Sequence, residues 1–564
     1  MKKQTHIIKL KFCISIFLLH FLPFSFNNVV AGEHTKESGE LTIKIEKRYL
    51  NLPISETSQS DKMTLSLDGK MLTWFKIKLA KEEPNYWMHY DVSNFLGKTI
   101  TLSYEGDVES LNKIYQDDKF VGQDKIYQEE FRPQFHFSTM RGWINDPNGL
   151  VYYDGEYHLF YQHNPYDVDW GNLNWGHAVS RDLVNWEELP TALQIDELGE
   201  MYSGSAVVDY DNTSGLGKKD KPAMLAFYTV QCSDGQTQCM AYSLDKGRTW
   251  TKYKNNPILD TKMKGGTWHN RDPKVFWYEA DKHWVMVLHE KDGHSIYTSD
   301  NMLNWEYQSH TSGFWECPEL FELPIDGNKD NTKWVMSGAS GTYMIGSFDG
   351  KTFTPETGKH YYASGYLYAP QTFNNIPAED GRRIQVSWAS IRHENMPFTG
   401  HMLLPVELSL RTTKDGVRMV CIPVNETKEL FTPLLNEQLL TMQEANEKLN
   451  ILLPSVDCLR VKGKIRLSHP TNAGMILDGQ KILDYDMNFN RINGTFYSPQ
   501  NFTSMELDFD LYIDRTSIEG FIDDGLYSFI IERKGEGAEK GISFWGLQDL
   551  TVEELTVYSV KSIW

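Results

Sequence analysis

Ser243-Leu-Asp-Lys-Gly-Arg-Thr-Trp250 is a short polar turn that ends on an aromatic ring. Three more stretches share its pattern: Ser180-Arg-Asp-Leu-Val-Asn-Trp186, Ser299-Asp-Asn-Met-Leu-Asn-Trp305 and Ser347-Phe-Asp-Gly-Lys-Thr-Phe353. Each turn follows an apolar, aromatic-rich run, namely Tyr157–Gln162, Ala223–Tyr228, His283–Leu288 and Lys333–Ser337, and a fifth such run is Arg383–Trp388. β-branched and aromatic residues in short runs between polar turns read as strands. The aromatic ends recur at intervals of roughly 50–65 residues, a spacing that indicates propeller blades. Five copies of the run predict five blades. A two-sheet sandwich with long loops is the runner-up.

The flanks differ from this repeat. Before it, Leu41–Ile45, Met63–Leu67, Phe75–Leu79 and Thr99–Leu102 alternate as strands do, with Asp68-Gly69 as a hairpin turn. This predicts a small N-terminal β-module. The polar, charged stretch 106–130 is expected to link it to the repeat. After about residue 425, a helical stretch at Asn436–Leu449 reads as a linker. Short alternating strands at Leu459–Gly463, Met505–Leu511, Ser517–Ile522 and Thr551–Val557 then predict a C-terminal β-sandwich. The expected fold is therefore all-β: signal peptide 1–31, N-terminal module and linker 33–130, propeller 131–424, linker 425–453 and sandwich 454–564.

Composition narrows the function. A formal net charge of -20 argues against nucleic acid and anionic membrane surfaces as partners. Aromatics make up 13% of the chain and tryptophans number 16, which suits stacking against sugar rings as well as filling a β core. Lys2, Lys3, Lys9 and Lys11 precede the apolar run Phe12–Phe24, and Val29-Val30-Ala31 offers small residues for cleavage. The expectation is a secreted protein, periplasmic or on the cell surface, with no membrane span after cleavage. Cleavage would remove Cys13 and leave Cys232, Cys239, Cys317, Cys421 and Cys458, odd in number and sparse, so no disulfide framework is expected. Cys232 and Cys239 are spaced for either a local pair or two free thiols. His136, His163, His177 and His269 lack metal-ligand spacing, and no phosphate loop or nucleophile elbow is evident. Neither a metal nor a cofactor is expected.

The chemistry is carried by three acids beside prolines. Trp143-Ile-Asn145-Asp146-Pro147-Asn148-Gly149 reads as a stiff turn that holds Asp146 at the mouth of a strand. Trp268-His-Asn-Arg271-Asp272-Pro273 and Trp315-Glu316-Cys317-Pro318-Glu319 also precede strands, at equivalent places in the repeat. Their side chains should therefore share one mouth. Two carboxylates plus a third are what glycosidic cleavage requires: a nucleophile, a general acid that later serves as base, and a group that holds sugar hydroxyls. Glu316 is expected to be desolvated and raised in pKa, whereas Arg271 should keep Asp272 ionised. Glu319 is expected to support Glu316.

These motifs resemble glycoside hydrolase family 32, the fructan hydrolases and invertases. Phe160-Tyr-Gln162, Trp170-Gly-Asn, Trp175-Gly-His177, Tyr202-Ser203-Gly-Ser205, Tyr368-Ala-Pro-Gln371 and Asp514-Arg-Thr-Ser-Ile-Glu-Gly-Phe521 extend the likeness over roughly residues 131–564. Some members carry an additional N-terminal module. The resemblance implies a retaining mechanism on β-fructofuranosides, with Asp146 as nucleophile, Glu316 as acid/base and Asp272 as transition-state stabiliser. Asn145, Gln162, Trp170, Ser203 and Arg271 would line the fructose subsite, with Trp388 as a wall. Many invertases have Asp where this chain has Tyr366, a difference that favours fructan over sucrose. Exo-release of fructose from levan or inulin is the first reading. Endo-levanase, invertase, a fructosyltransferase and a fructan-binding protein without turnover are the alternatives.

Overall fold

The computed structural model describes residues 38–218, 220–262, 264, 267–452, 457–497, 505–534 and 541–564. The expected signal peptide, 1–31, lies outside the described residues. No helix among them is long and apolar enough to cross a membrane.

The N-terminal module is a sandwich of two antiparallel sheets. One orders Gly39–Lys44, Thr99–Tyr104, Asp61–Leu67 and Lys70–Ile77; the other orders Tyr86–Asp91, Tyr49–Ile54 and Tyr115–Asp117. Met63, Leu65, Phe75, Leu50, Leu52 and Met88 alternate inward and fill the space between them. Asp68 and Gly69 both take positive φ, as a tight hairpin between right-twisted strands requires. The module extends further than its sequence indicates. Part of the expected linker forms a 3-10 helix, Val108–Lys113, and the strand Tyr115–Asp117, which pairs with Tyr49–Asn51. Three residues are too few to show alternation.

The middle of the chain forms successive antiparallel meanders. The first sheet holds Gly142–Tyr153, Glu156–Asn164, Asn174–Ser180 and Trp186–Leu193; Phe398–Thr399 joins it in parallel and so brings the end of the repeat back to its start. The second runs Glu200–Asp209, Ala223–Cys232, Gly235–Ser243 and Thr251–Lys252, and the third Asn270–Tyr278, His283–Glu290, Gly293–Ser299 and Glu306–Ser312. A ten-stranded sheet contains the rest, where one parallel pairing, Ile325 with Leu410, joins two antiparallel halves. The first strands lie against one another: Glu200–Asp209 contacts both Gly142–Tyr153 and Asn270–Tyr278, and Leu367–Thr372 closes onto Gly142–Tyr153. This is a β-propeller.

The repeated turn has a physical origin. Asp182 Oδ1 accepts from the backbone N–H of Val184 and Asn185, and the Trp186 indole N–H donates to the Leu183 carbonyl. Asp245 and Trp250 repeat the arrangement through Thr249 N–H and the Gly247 carbonyl. In the third copy the acceptor is Asn301 rather than the expected aspartate, and Trp305 donates to the Met302 carbonyl. An amide oxygen caps the same N–H groups as well as a carboxylate does.

The C-terminal sandwich packs a seven-stranded sheet on a five-stranded one, with Val461, Leu511, Ile518, Met475 and Leu483 in its core. The expected linker is largely part of it. Phe431–Thr441 is a strand paired with Thr551–Val560, and the helix occupies Met442–Leu452 instead of Asn436–Leu449. Thr441 sets that start: its Oγ1 accepts from Glu444 N–H at 3.2 Å, and the Glu444 carboxylate accepts from Thr441 N–H at 2.9 Å, a reciprocal cap. The sandwich is stitched to the propeller. Ala363–Gly365 pairs in parallel with Ser528–Ile530, and His136 lies between Asp514 at 2.7 Å and Glu519 at 2.5 Å.

Candidate active site

Asp146 does not sit on a turn. Gly142–Tyr153 is one continuous strand, and two register shifts against its neighbour, between Ile144 and Pro147 and between Asn148 and Val151, each insert an extra residue. Two bulges absorb the proline and the positive φ of Gly149, features that read as a turn in sequence. A bulge re-aims the side chain it carries, and this one turns Asp146 into the funnel.

The same device recurs around the ring. Register shifts lie between Met201 and Gly204, around Ser203; between Arg271 and Lys274, around Asp272; and between Tyr368 and Gln371, around Ala369. Asp272, Glu316, Cys317 and Ala369 all have positive φ. Such backbone costs on the order of 1–3 kcal/mol per residue, and it persists where the surroundings over-determine it. Here the determinants are specific bonds. Asp272 N–H donates to Thr229 Oγ1 at 3.0 Å, and Cys317 N–H donates to Asp272 Oδ2 at 3.0 Å.

The three acids converge. Asp146 accepts from Ser203 Oγ at 2.7 Å and from the Asn145 side-chain amide at 3.0 Å; the Trp143 indole orients that amide by donating to its oxygen at 2.7 Å. Cys317 Sγ stands 3.7 Å from Asp146 Oδ2 and 3.8 Å from Asp272 Oδ2. Glu316 accepts from the Arg271 guanidinium and, at 2.6 Å, from the Tyr368 hydroxyl. Arg271 is itself held by His269 Nδ1 at 2.9 Å and lies over the Trp315 ring.

Burial and charge set the protonation states. Burial pushes Asp146 up from the ordinary carboxylate value, against the hydrogen bonds from Ser203 and Asn145. Burial also pushes Asp272 up, to about 7; Arg271 opposes this, while Glu316 and Asp146 add to it. Glu316 moves the other way: burial raises it, but Arg271 and the Tyr368 hydroxyl outweigh burial and hold it below its ordinary value. Both expectations for the pair are thus reversed. Arg271 precedes Asp272 in the chain, yet its guanidinium reaches Glu316 and stays 3.8 Å from Asp272.

The remaining candidates take distinct places. Gln162 is buried beside Asn148, whose side-chain oxygen accepts from the Gln162 side-chain amide at 2.9 Å. Trp388 meets Trp143 edge-on, with ring centroids 5.7 Å apart. Trp170 is 57% exposed on a loop at the rim, near Tyr202. Glu319 does not touch Glu316. It is buried below the acids, in an ion pair with Lys274 at 2.9 Å and a hydrogen bond from Thr372 at 2.6 Å. Sequence reasoning gave no role to Tyr368, Cys317 or Thr229. Tyr368 and Cys317 lie inside quoted motifs, whereas Thr229 carried no signal. Cys232 and Cys239 are free thiols. Among the described residues, no group of three or more His, Cys, Asp or Glu is placed to hold a metal ion.

Two of the acids thus stand in strand bulges and the third just before a strand, with one arginine among them. Residues 136–423 match the model of the glycosyl hydrolases family 32 N-terminal domain. The chain belongs to glycoside hydrolase family 32. Within the family, it is 37% identical over 493 residues to a levanase of Bacillus subtilis, covering 78% of this chain and 72% of that one. It is 34% identical over 476 residues to an extracellular exo-inulinase of Aspergillus niger, covering 70% of this chain and 88% of that one. The exo-inulinase structure from Aspergillus awamori superposes with a TM-score of 0.68 at 26% identity, over 78% of this chain and 100% of that one. A Schwanniomyces occidentalis fructofuranosidase complexed with fructosylnystose gives 0.66 at 27% identity, over 78% of this chain and 99% of that one.

Proposed function

We propose that this protein hydrolyses β-fructofuranosidic bonds of fructans with retention, releasing fructose from chain ends of levan or inulin type. The observation that carries the reading is the pairing of two differently held carboxylates: Asp146, fixed by Ser203 and Asn145, and Glu316, gripped by Arg271 and Tyr368. The levanase and exo-inulinase relatives supply the substrate class.

Asp146 attacks the anomeric carbon, and the bond to the leaving oxygen breaks as Glu316 delivers its proton to that oxygen. Water then donates a proton to Glu316 and its oxygen attacks the same carbon, freeing Asp146. Asp272, as the carboxylate, accepts hydrogen bonds from hydroxyls of the fructosyl ring and steadies its positive charge as it develops. Glu316 needs a proton that Arg271 disfavours, so substrate binding must draw Arg271 from Glu316 towards sugar hydroxyls. Asn145, Gln162, Ser203 and Arg271 hold the fructosyl ring, with Trp170 and Trp388 as walls. The two halves of the ten-stranded sheet count as separate blades, giving five around the funnel. The sandwich begins at Phe431, and the chain is exported behind residues 1–31.

A time course of products from levan, inulin and sucrose tests the reading. Fructose alone from the earliest points is expected, fastest on a fructan. An early ladder of oligosaccharides would replace exo- with endo-cleavage. Oligomers accumulating from concentrated sucrose would mark a transferase, and no product from any of the three would overturn the reading.

A further inference from the structure

The N-terminal module lies against the loop that carries Trp170. That loop, Asn164–Leu173, connects the second and third strands of the first propeller sheet. Facing it is Lys70–Ile77, the edge strand of the module's four-stranded sheet. An edge strand presents unpaired backbone groups, and Asn172 pairs with them as a strand would. Lys76 N–H donates to Asn172 Oδ1 at 2.7 Å, and Asn172 Nδ2 donates back to the Lys76 carbonyl at 2.8 Å. Just beyond the strand, Lys78 Nζ stands 2.8 Å from Asp167 and 3.1 Å from Asp169. The shorter of those pairs is sheltered: the Lys78 side chain is 21% exposed and that of Asp167 11%. Phe75 stacks on Tyr166 at 3.7 Å between centroids, and Tyr86 donates to Asp167.

Tyr166, Asp167, Asp169 and Asn172 thus bracket Trp170 on both sides, and each is tied to the module. The loop is tied equally to the acids. The Asp167 carbonyl accepts from Trp143 N–H at 3.0 Å, the Trp143 indole holds Asn145, and Asn145 holds Asp146. A half-exposed tryptophan stacks on a sugar only if its loop is already ordered, because ordering it at binding costs conformational entropy.

Resting on the fructanase reading above, we propose that the N-terminal module is a structural part of the active site, with Asn172 and Lys78 as positioning residues that fix the Trp170 wall. The alternative it displaces is an independent sugar-binding domain that tethers the enzyme to polymer.

The test is steady-state kinetics of the full chain on sucrose and on a levan oligosaccharide. Asn172→Gly tolerates the positive φ of that position and removes only the side-chain bonds; Lys78→Met removes the ion pairs. Each is expected to raise KM about tenfold with kcat within about threefold, the signature of lost binding without lost chemistry. In a Trp170→Ala background, neither should raise KM further, since coupled residues are not additive. Lys78→Arg should return KM to within about twofold of wild type. Unchanged KM in the folded single variants would overturn the proposal. So would undiminished effects in the Trp170→Ala background, or Lys78→Arg as harmful as Lys78→Met. A wild-type enzyme that turns over neither substrate, nor an inulin oligosaccharide, overturns the fructanase reading itself, whereas an active wild type with indifferent variants overturns the module's role alone.

Discussion

Asp272→Asn should abolish activity and stabilise the fold, and the stabilisation should grow with pH. In the folded protein the Asp272 carboxyl titrates at about 7 against an ordinary 3.8, chiefly because it is buried. A raised folded-state pKa means that the native state holds this proton more tightly than the unfolded chain does. Below about pH 4 both states are protonated and the group is neutral to stability. From pH 4 to 7 the unfolded chain gains from ionisation while the folded one does not, so the native state loses ground as pH rises; above about 7 the penalty is constant. At ~1.4 kcal/mol per unit, it comes to about 2 kcal/mol at pH 5 and about 4 kcal/mol at pH 8. An amide of the same shape escapes it and still accepts from Cys317 N–H. Thermal unfolding of wild type and variant at pH 5 and pH 8 reads the difference, at roughly 2 °C per kcal/mol for a domain this large. The gain at pH 8 should be roughly two to three times that at pH 5. A variant that unfolds earlier than wild type, or a gain independent of pH, would refute burial as the cause. The result would be a stability cost carried at an active site for the sake of its chemistry.

Three further outcomes follow from the same geometry. Asp146→Asn should remove turnover on every fructoside while leaving the unfolding profile at or above that of wild type; substantial activity would take Asp146 out of the nucleophile role. Glu316→Gln should lose roughly 10²–10⁴-fold on levan but far less on aryl fructosides whose leaving group needs no proton, and equal losses on both would argue against acid catalysis there. Glu319→Gln leaves Lys274 buried without its counter-charge, so it should cost about 3–5 kcal/mol of stability; denaturation at the wild-type midpoint would show the pair to be dispensable.

Much of the architecture was legible because it repeats. An amide or carboxylate capping a turn, followed by an aromatic whose indole seals it, recurs at Asp182, Asp245 and Asn301, and Asp349 caps the fourth turn ahead of a phenylalanine. The three acids were legible as a set because each stands beside a proline before an apolar strand. Short pairings were not. Tyr115–Asp117 is too brief to alternate, and Phe431–Thr441 has a helix-like composition but pairs with the last long strand of the chain, a partner more than a hundred residues away. Electrostatics were the least legible of all. The adjacency of Arg271 and Asp272 in sequence implied a pair, but neighbouring residues of a strand point to opposite faces, and only the inserted bulge residue decides which carboxylate the guanidinium meets.

That last point explains why the acids stand where they do. A regular strand alternates its side chains between the two faces of a blade, so along its length none points up the axis of the funnel. Inserting one residue breaks the alternation and frees a side chain to turn toward the mouth. The inner strands carrying Ser203, Asp272 and Ala369 each do this once near the same end and the strand carrying Asp146 does it twice, while the strand Glu319–Ile325 reaches the same effect with Glu316 and Cys317 in left-handed conformation just before it. The backbone distortion is therefore the means by which a hydrogen-bonded β scaffold brings three carboxylates to one mouth. The prolines at 147, 273 and 370 fit this account, because a bulge is where a strand tolerates a residue that donates no hydrogen bond, and Pro318 stands just before its strand. What sequence presents as a chemical motif, an acid beside a proline, is at bottom the signature of that bulge.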